Sequence, residues 1–340
     1  MGRGSRTLAV LLVLILLALL VVLTAIGVRS NLSGSGGSEL TATPSAEWGG
    51  ATVVPEAADA VPNAAEPLAS ARVSWLPSEV PEGTLFQVTI TPETGPVMAA
   101  EGEFAGEPLH FRPSDDGTFM ALAAAPVDER GSAELRVEIW YESAAAEVRF
   151  LRVLVVAGDY RMERLSVAPE FGGPQPPEIQ RRINEEFSRA MEVSRDSHDT
   201  PSMWDGIFLT PRPVRITSGF GHGRMFNDQV QSRHMGTDFG GALGEPVLAP
   251  ARGRVALVDA FYLGGNVVYL DHGDGLTTAY LHLSRQDVSE GQVVELGQVI
   301  GRVGATGRVT GPHLHWIVRY GVITVDGMSL LSLEPLGVEL

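Results

Sequence analysis

The chain has 340 residues, with 41 acidic residues against 25 basic ones, no cysteine and a formal charge of −16. An apolar content of 44% supports at least one full core and argues against wholesale disorder. The negative charge argues against nucleic acid as a partner, and the missing thiols exclude disulfides, thiol catalysis, thiolate-held zinc, iron–sulfur clusters and a Cys-linked lipid anchor. Any metal must therefore be held by histidine and carboxylate.

Residues 1–7 carry Arg3 and Arg6 ahead of an uncharged, apolar run from Leu8 to Val28. As a helix rising about 1.5 Å per residue, that run spans about 30 Å, the thickness of bilayer hydrocarbon. The positive charges before it predict a cytoplasmic tail, a single-pass anchor at 8–28 in the inner (cytoplasmic) membrane, and all later residues on the periplasmic or cell-wall side. The competing reading is a cleaved signal peptide ending near Ala25-Ile26-Gly27, although the run exceeds the ~7–15 residues of a signal core. Residues 29–70, rich in Ser, Gly, Ala, Pro and Thr with no apolar period, predict a flexible linker.

From 71 to 165 the pattern has period two. Phe86, Val88 and Ile90 alternate with Gln87 and Thr89; Leu135, Val137 and Ile139 alternate with Arg136, Glu138 and Trp140; Asp115-Asp116-Gly117 marks a turn. Short strands of this kind predict an immunoglobulin-like β-sandwich held by packing alone. It contains no catalytic cluster, which suits a spacer or a docking module for an envelope protein partner. Residues 175–197 predict a connecting helix: Pro176 and Pro177 suit its start, and Ile179, Ile183, Phe187, Ala190 and Met191 recur at helical spacing. The segment 204–340 turns to short β runs punctuated by glycine and holds six of the eight histidines.

Four islands in that segment carry chemistry: Ser218-Gly219-Phe220-Gly221-His222-Gly223-Arg224, His234-Met235-Gly236-Thr237-Asp238, Tyr280-Leu281-His282-Leu283 and Gly311-Pro312-His313-Leu314-His315. In a strand, His313 and His315 share a face, as do Thr278, Tyr280 and His282. Two imidazoles on one face, with an acid and a third histidine nearby, supply what a catalytic zinc without thiolates requires: three protein ligands and one open position.

Taken together, residues from about 206 to 336 resemble the M23 family of zinc metallopeptidases, the lysostaphin and LytM type that cut peptidoglycan peptides. The flanking texture agrees, with Gly265-Asn266-Val267-Val268 and Gly304-Ala305-Thr306-Gly307 beside the motifs. The resemblance implies a Gly-rich antiparallel β-sheet peptidase domain, so that the whole chain is mostly β. It implies His234, Asp238 and His315 as ligands of one zinc ion per chain, and His282 and His313 as catalytic non-ligands. All five are intact, which favours an enzyme over an inactive envelope scaffold or amidase activator of the same fold. Zinc held by two neutral histidines and one aspartate would lower the pKa of a water towards about 7 and polarise the scissile carbonyl. His282 and His313 would then take and return the proton, in roles the sequence leaves open.

Arg224, Asn266, His222 and Tyr280 are candidates for the substrate groove or for support behind the ligands. His272, before Gly273-Asp274-Gly275, reads as a turn residue, and His110 and His198 as ordinary surface or core residues. The run Gly291–Gly301 resembles the hairpins of biotinyl- and lipoyl-carrier domains; with no lysine in the chain, it speaks to β architecture and not to a carried cofactor. The expected function is a membrane-tethered zinc endopeptidase acting on the peptide bridges of peptidoglycan.

Overall fold

A computed structural model describes residues 69–333, apart from 143, 144, 172, 207 and 229. The expected anchor at 8–28 and nearly all of the linker at 29–70 lie outside the described residues; no described helix is long and apolar enough to cross a membrane. All the described residues fall in one compact unit, and most of its regular structure is strand.

The alternating runs do form strands, since period-two patterning buries one face of each. Ser70–Leu76, Leu85–Thr94, Phe119–Ala124 and Arg112–Pro113 make a four-stranded antiparallel sheet in that order. Glu79–Pro81, Glu147–Val156, Gly131–Tyr141, Val97–Phe104 and Glu107–His110 make a second sheet, in which only Glu79–Pro81 pairs parallel. The two sheets meet through Phe86 and Phe104, packed edge-on with ring centroids 5.0 Å apart. Val88, Ile90, Leu135, Val137 and Ile139 are fully buried around them.

The helix Pro177–Asp196 starts with proline in its first turn, where the missing N–H costs nothing. Its inward stripe differs from the expected one. Phe187 is 59% exposed, and Glu186 takes the buried position. The Glu186 carboxylate accepts from Arg182 Nε at 2.6 Å and from the Tyr262 backbone N–H at 2.7 Å, so a charge is accommodated where the pattern placed an aromatic ring.

The remaining strands build one large antiparallel sheet in the order Ile216–Ser218, Thr237–Gly240, His313–Tyr320, Leu276–Leu283, Gly265–Gly273, Gly253–Phe261 and Val293–Val294, with Ile323–Val325 beside His313–Tyr320. Register decides what shares a face. Tyr280 pairs with Trp316 and points with it into the main core; Ala279 pairs with Ile317 and points the other way. On that second face Ala190 of the helix packs with Ile317, Ala279, Val267 and Tyr269. The helix thus covers one end of the face and leaves the other end, at His313 and His315, for the site.

The two β units touch closely. Tyr320 donates its hydroxyl to the Pro108 carbonyl at 2.8 Å, Arg112 donates to Asp274 at 2.7–2.8 Å, and Glu107 accepts from the Val322 N–H at 2.9 Å. His198 and His110 are 2.8 Å apart in this seam, and His198 reaches Glu107 at 2.8 Å. His272 is no turn residue: it is fully buried in the strand Gly265–Gly273, donating from Nδ1 to the Arg252 carbonyl and accepting at Nε2 from the Thr278 hydroxyl.

Candidate metal centre

The pairing of Thr237–Gly240 with His313–Tyr320 sets Asp238 directly opposite His315 and Gly240 opposite His313. Partners across an antiparallel pair share a face, so Asp238, His313 and His315 project together. His234 approaches from the turn before Thr237. Gly236 allows that turn to lie against the sheet, because a Cβ there would sit 2.7 Å from the His315 ring.

His282 reaches the same face by a different route. Alternation would put it with Thr278 and Tyr280, opposite His315. Its backbone instead adopts φ 64°, the left-handed region that non-glycine residues avoid, and this swings the ring back across the sheet. The His282 ring then lies 5.0 Å from that of His313 and 5.8 Å from that of His315. The shared face expected for Thr278, Tyr280 and His282 is therefore wrong at its last member, and Tyr280 is not a groove residue. Its ring is fully buried in the core and its hydroxyl meets Thr278 at 2.8 Å, while burial drives its pKa far upward.

The histidine tautomers follow from their backbone partners, since a carbonyl can only accept. His234 donates Nδ1–H to the Gly219 carbonyl at 2.6 Å, His282 to Thr306 at 2.8 Å and His313 to Gly311 at 2.8 Å. Each therefore offers an unprotonated Nε2. His234 Nε2 faces Asp238 Oδ1 at 3.0 Å and His315 Nδ1 at 2.9 Å, and His315 Nδ1 lies 2.7 Å from the same oxygen. Three acceptor atoms pointing at one another leave lone pairs opposed unless a cation or proton sits among them. Their spacing is close to the ~3.3 Å expected between tetrahedral ligands about 2.0 Å from an ion, so the donor set fits zinc. Among the described residues this is the one His/Asp/Glu group with that convergence.

Burial alone would raise the Asp238 carboxyl, but its close contacts with the His234 and His315 rings outweigh it and hold its pKa well below the usual range. Burial, with the neighbouring His315 and His313 rings, pushes His282 well below an ordinary histidine; burial likewise takes His315 to about 4. These two imidazoles, His282 and His315, are thus kept neutral, the state that proton acceptance and ligation respectively need.

A cavity of about 470 Å³ opens over the cluster, lined by His234, Asp238, His282, His313, His315 and Arg224 among others. Arg224 donates from Nη2 to Asp238 Oδ2 at 2.6 Å and to Ser218 Oγ at 2.9 Å, and from Nε to Glu163 at 3.2 Å. His222 stands behind this, outside the cavity lining, donating Nδ1–H to Glu163 at 2.9 Å. Asn266 is not in the groove: its side-chain amide donates to the Leu283 carbonyl at 3.0 Å and staples two strands. Two residues of the site left no usable trace in the sequence reading. Glu163 lies in the strand Met162–Leu165, which pairs parallel with Gly223–Phe226, and Arg308 lines the cavity from the loop before His313.

With this geometry in view, residues 232–327 match peptidase family M23. The chain carries an M23 peptidase domain. The peptidoglycan DD-endopeptidase ShyB of Vibrio cholerae is 42% identical over 118 residues, 34% of this chain and 27% of that protein. The DD-carboxypeptidase/endopeptidase Mpg of Neisseria meningitidis is 39% identical over 122 residues, 36% of this chain and 28% of that protein. The chain thus spans little more than a quarter of these curated relatives, and the likeness is centred on the M23 domain. A solved Pseudomonas aeruginosa chain assigned to peptidase M23 extends the likeness in fold: 27% identity and a TM-score of 0.53 over 70% of this chain and 89% of that one.

Proposed function

We propose that this chain is a zinc-dependent endopeptidase that hydrolyses the peptide bridges of peptidoglycan, working outside the inner membrane on a tether anchored at 8–28. The immunoglobulin-like unit at 71–165 serves as its spacer or docking module. The observation that carries the reading is the convergence of His234 Nε2, Asp238 Oδ1 and His315 Nδ1 beneath an open cavity, with two further histidines at its wall. The names of the peptidoglycan endopeptidases that resemble the M23 domain support the choice of substrate.

His234, Asp238 and His315 would hold the ion, which would polarise the scissile carbonyl and acidify the attacking water. The chain's own groups then manage the proton. As the water oxygen bonds to the carbonyl carbon, its proton passes to the unprotonated Nε2 of His282 or His313. It returns to the departing amine nitrogen as the C–N bond breaks. The Nδ1–H bonds to Thr306 and Gly311 fix both rings and their tautomers, so neither must reorient during turnover. Arg224 keeps Asp238 oriented and ionised from the side away from the histidines.

The direct test is digestion of purified sacculi by the purified chain, with released peptides identified by mass spectrometry. Cross-linked muropeptides should be cut at a peptide bond by the wild type and left intact by Asp238→Ala. Intact cross-links after incubation with folded, metal-loaded wild type would refute the reading.

A further inference from the structure

The arginines around the cavity divide sharply. Arg224 is answered by Glu163 and Asp238, and Arg233 by Asp128. Arg308 lines the same cavity and has no carboxylate partner among the described residues; the charge that bears on it is the like charge of Arg224. Its guanidinium carbon lies 4.1 Å over the Phe226 ring, which holds the plane of the group and leaves its N–H edges free. Burial, with Arg224 beside it, lowers its pKa to about 10, so it stays cationic at neutral pH. A half-buried cation without a counter-charge is costly to keep unless a ligand supplies one. The cavity's own acids are already engaged: Glu163 by Ser218, His222 and Arg224, and Asp238 by Arg224 and the two histidines.

We infer that Arg308 is the anchor for a carboxylate of the substrate, so that this cavity takes peptides bearing a free carboxylate within a few residues of the scissile bond. The inference rests on the peptidase reading and specifies its substrate class. A planar guanidinium fixed by stacking presents paired N–H donors in the fork that matches a carboxylate. The loop geometry sets the spacing. Arg308 is tied by its backbone N–H to the Leu263 carbonyl at 2.8 Å, and His313 follows five positions later, so the two backbones lie at most about 17 Å of extended chain apart. The carboxylate could be that of a peptide C-terminus or of an acidic side chain; the chemistry is shared.

The test uses the full, metal-loaded chain and four synthetic cross-linked stem-peptide dimers: all carboxylates free, C-terminus amidated, side-chain carboxylate amidated, and both amidated. The free form should show a KM about ten- to a hundredfold below the doubly amidated form, with kcat little changed. The singly amidated form that loses the advantage identifies which carboxylate is held. Arg308→Met should abolish the KM difference between the free and doubly amidated forms, and Arg308→Lys should restore part of it. Equal KM for all four forms in the wild type, which needs no variant to fold, overturns the anchor and leaves the peptidase reading standing. So does discrimination that survives in Arg308→Met. Failure of the folded chain to cleave any of the four overturns the peptidase reading and the anchor with it.

Discussion

Arg224 binds Asp238 on Oδ2 at 2.6 Å, while His234 and His315 both approach Oδ1, so the carboxylate is shared between a structural cation on one oxygen and the ligand cluster on the other. The division fixes the carboxylate plane. Removing Arg224 would free Asp238 to rotate and would leave Glu163 without one of its partners. Arg224→Met is therefore expected to weaken metal affinity and turnover by about 10–100-fold, the usual cost of losing a group that orients a ligand. Competition against a chelator of known affinity, run beside a turnover assay, measures both.

The ligands and the two remaining histidines should separate cleanly. Asp238→Ala or His315→Ala should lose the metal and all activity. His282→Ala should keep about one zinc per chain and lose about 10²–10⁴ in kcat, the worth of a positioned acid or base. Elemental analysis together with single-turnover kinetics distinguishes the two outcomes, and metal loss in His282→Ala equal to that in Asp238→Ala would remove its assignment as a non-ligand.

The pH profile of kcat/KM should be bell-shaped, since an acceptor and a donor of the same proton must both be in the right state. Replacing either His282 or His313 should flatten one limb, whereas replacing a ligand should lower the whole curve.

Stability should fall in mild acid for a reason outside the site. His272, fully buried, has its pKa lowered to about 4 by burial, against about 6.5 in an unfolded chain. Between those two values the unfolded chain binds the extra proton, so stability declines as the pH drops through that window and is unaffected by this group above it. The loss amounts to about 3 kcal/mol by pH 4. Urea titrations from pH 7 to pH 4 should show it, and His272→Gln, which can still donate to Arg252 and accept from Thr278, should remove that share of the slope.

Glu107 tests the seam between the β units. Its nearly buried carboxylate accepts from Val322 N–H and meets His198, and Glu107→Ala would leave both without it, at a cost of about 1–3 kcal/mol. A lower melting temperature, with earlier proteolysis between the units, is the expected readout.

What could be read from the sequence was what short spacings encode. His313 and His315 share a face because a strand alternates, and the helix at Pro177–Asp196 announced itself by periodicity and its opening prolines. Where alternation breaks, the reading broke with it. His282 crosses to the metal side only through a left-handed backbone angle, and Tyr280, taken for its companion, belongs to the core. Asn266 stood as a candidate for the groove or for support because of the family resemblance around it, and of these the structure shows a backbone-shaping role, its amide spent on the Leu283 carbonyl. Glu163 and Arg224 are 61 positions apart and His110 and His198 are 88 apart; such pairings follow from how the sheets dock, which no local pattern specifies.

The strand Met162–Leu165 lies well before residue 232, where the match to the peptidase family begins, yet it supplies Glu163 to the group behind Asp238. The portable unit of this site is thus longer than the stretch that matches the family. A transplant of 232–327 alone into another chain would carry His234, Asp238, His315 and both further histidines but leave behind Glu163, Ser218, His222 and Arg224. Grafts and truncations of this protein should therefore be cut upstream of Met162, at the end of the first β unit, where the support for the carboxylate enters the fold.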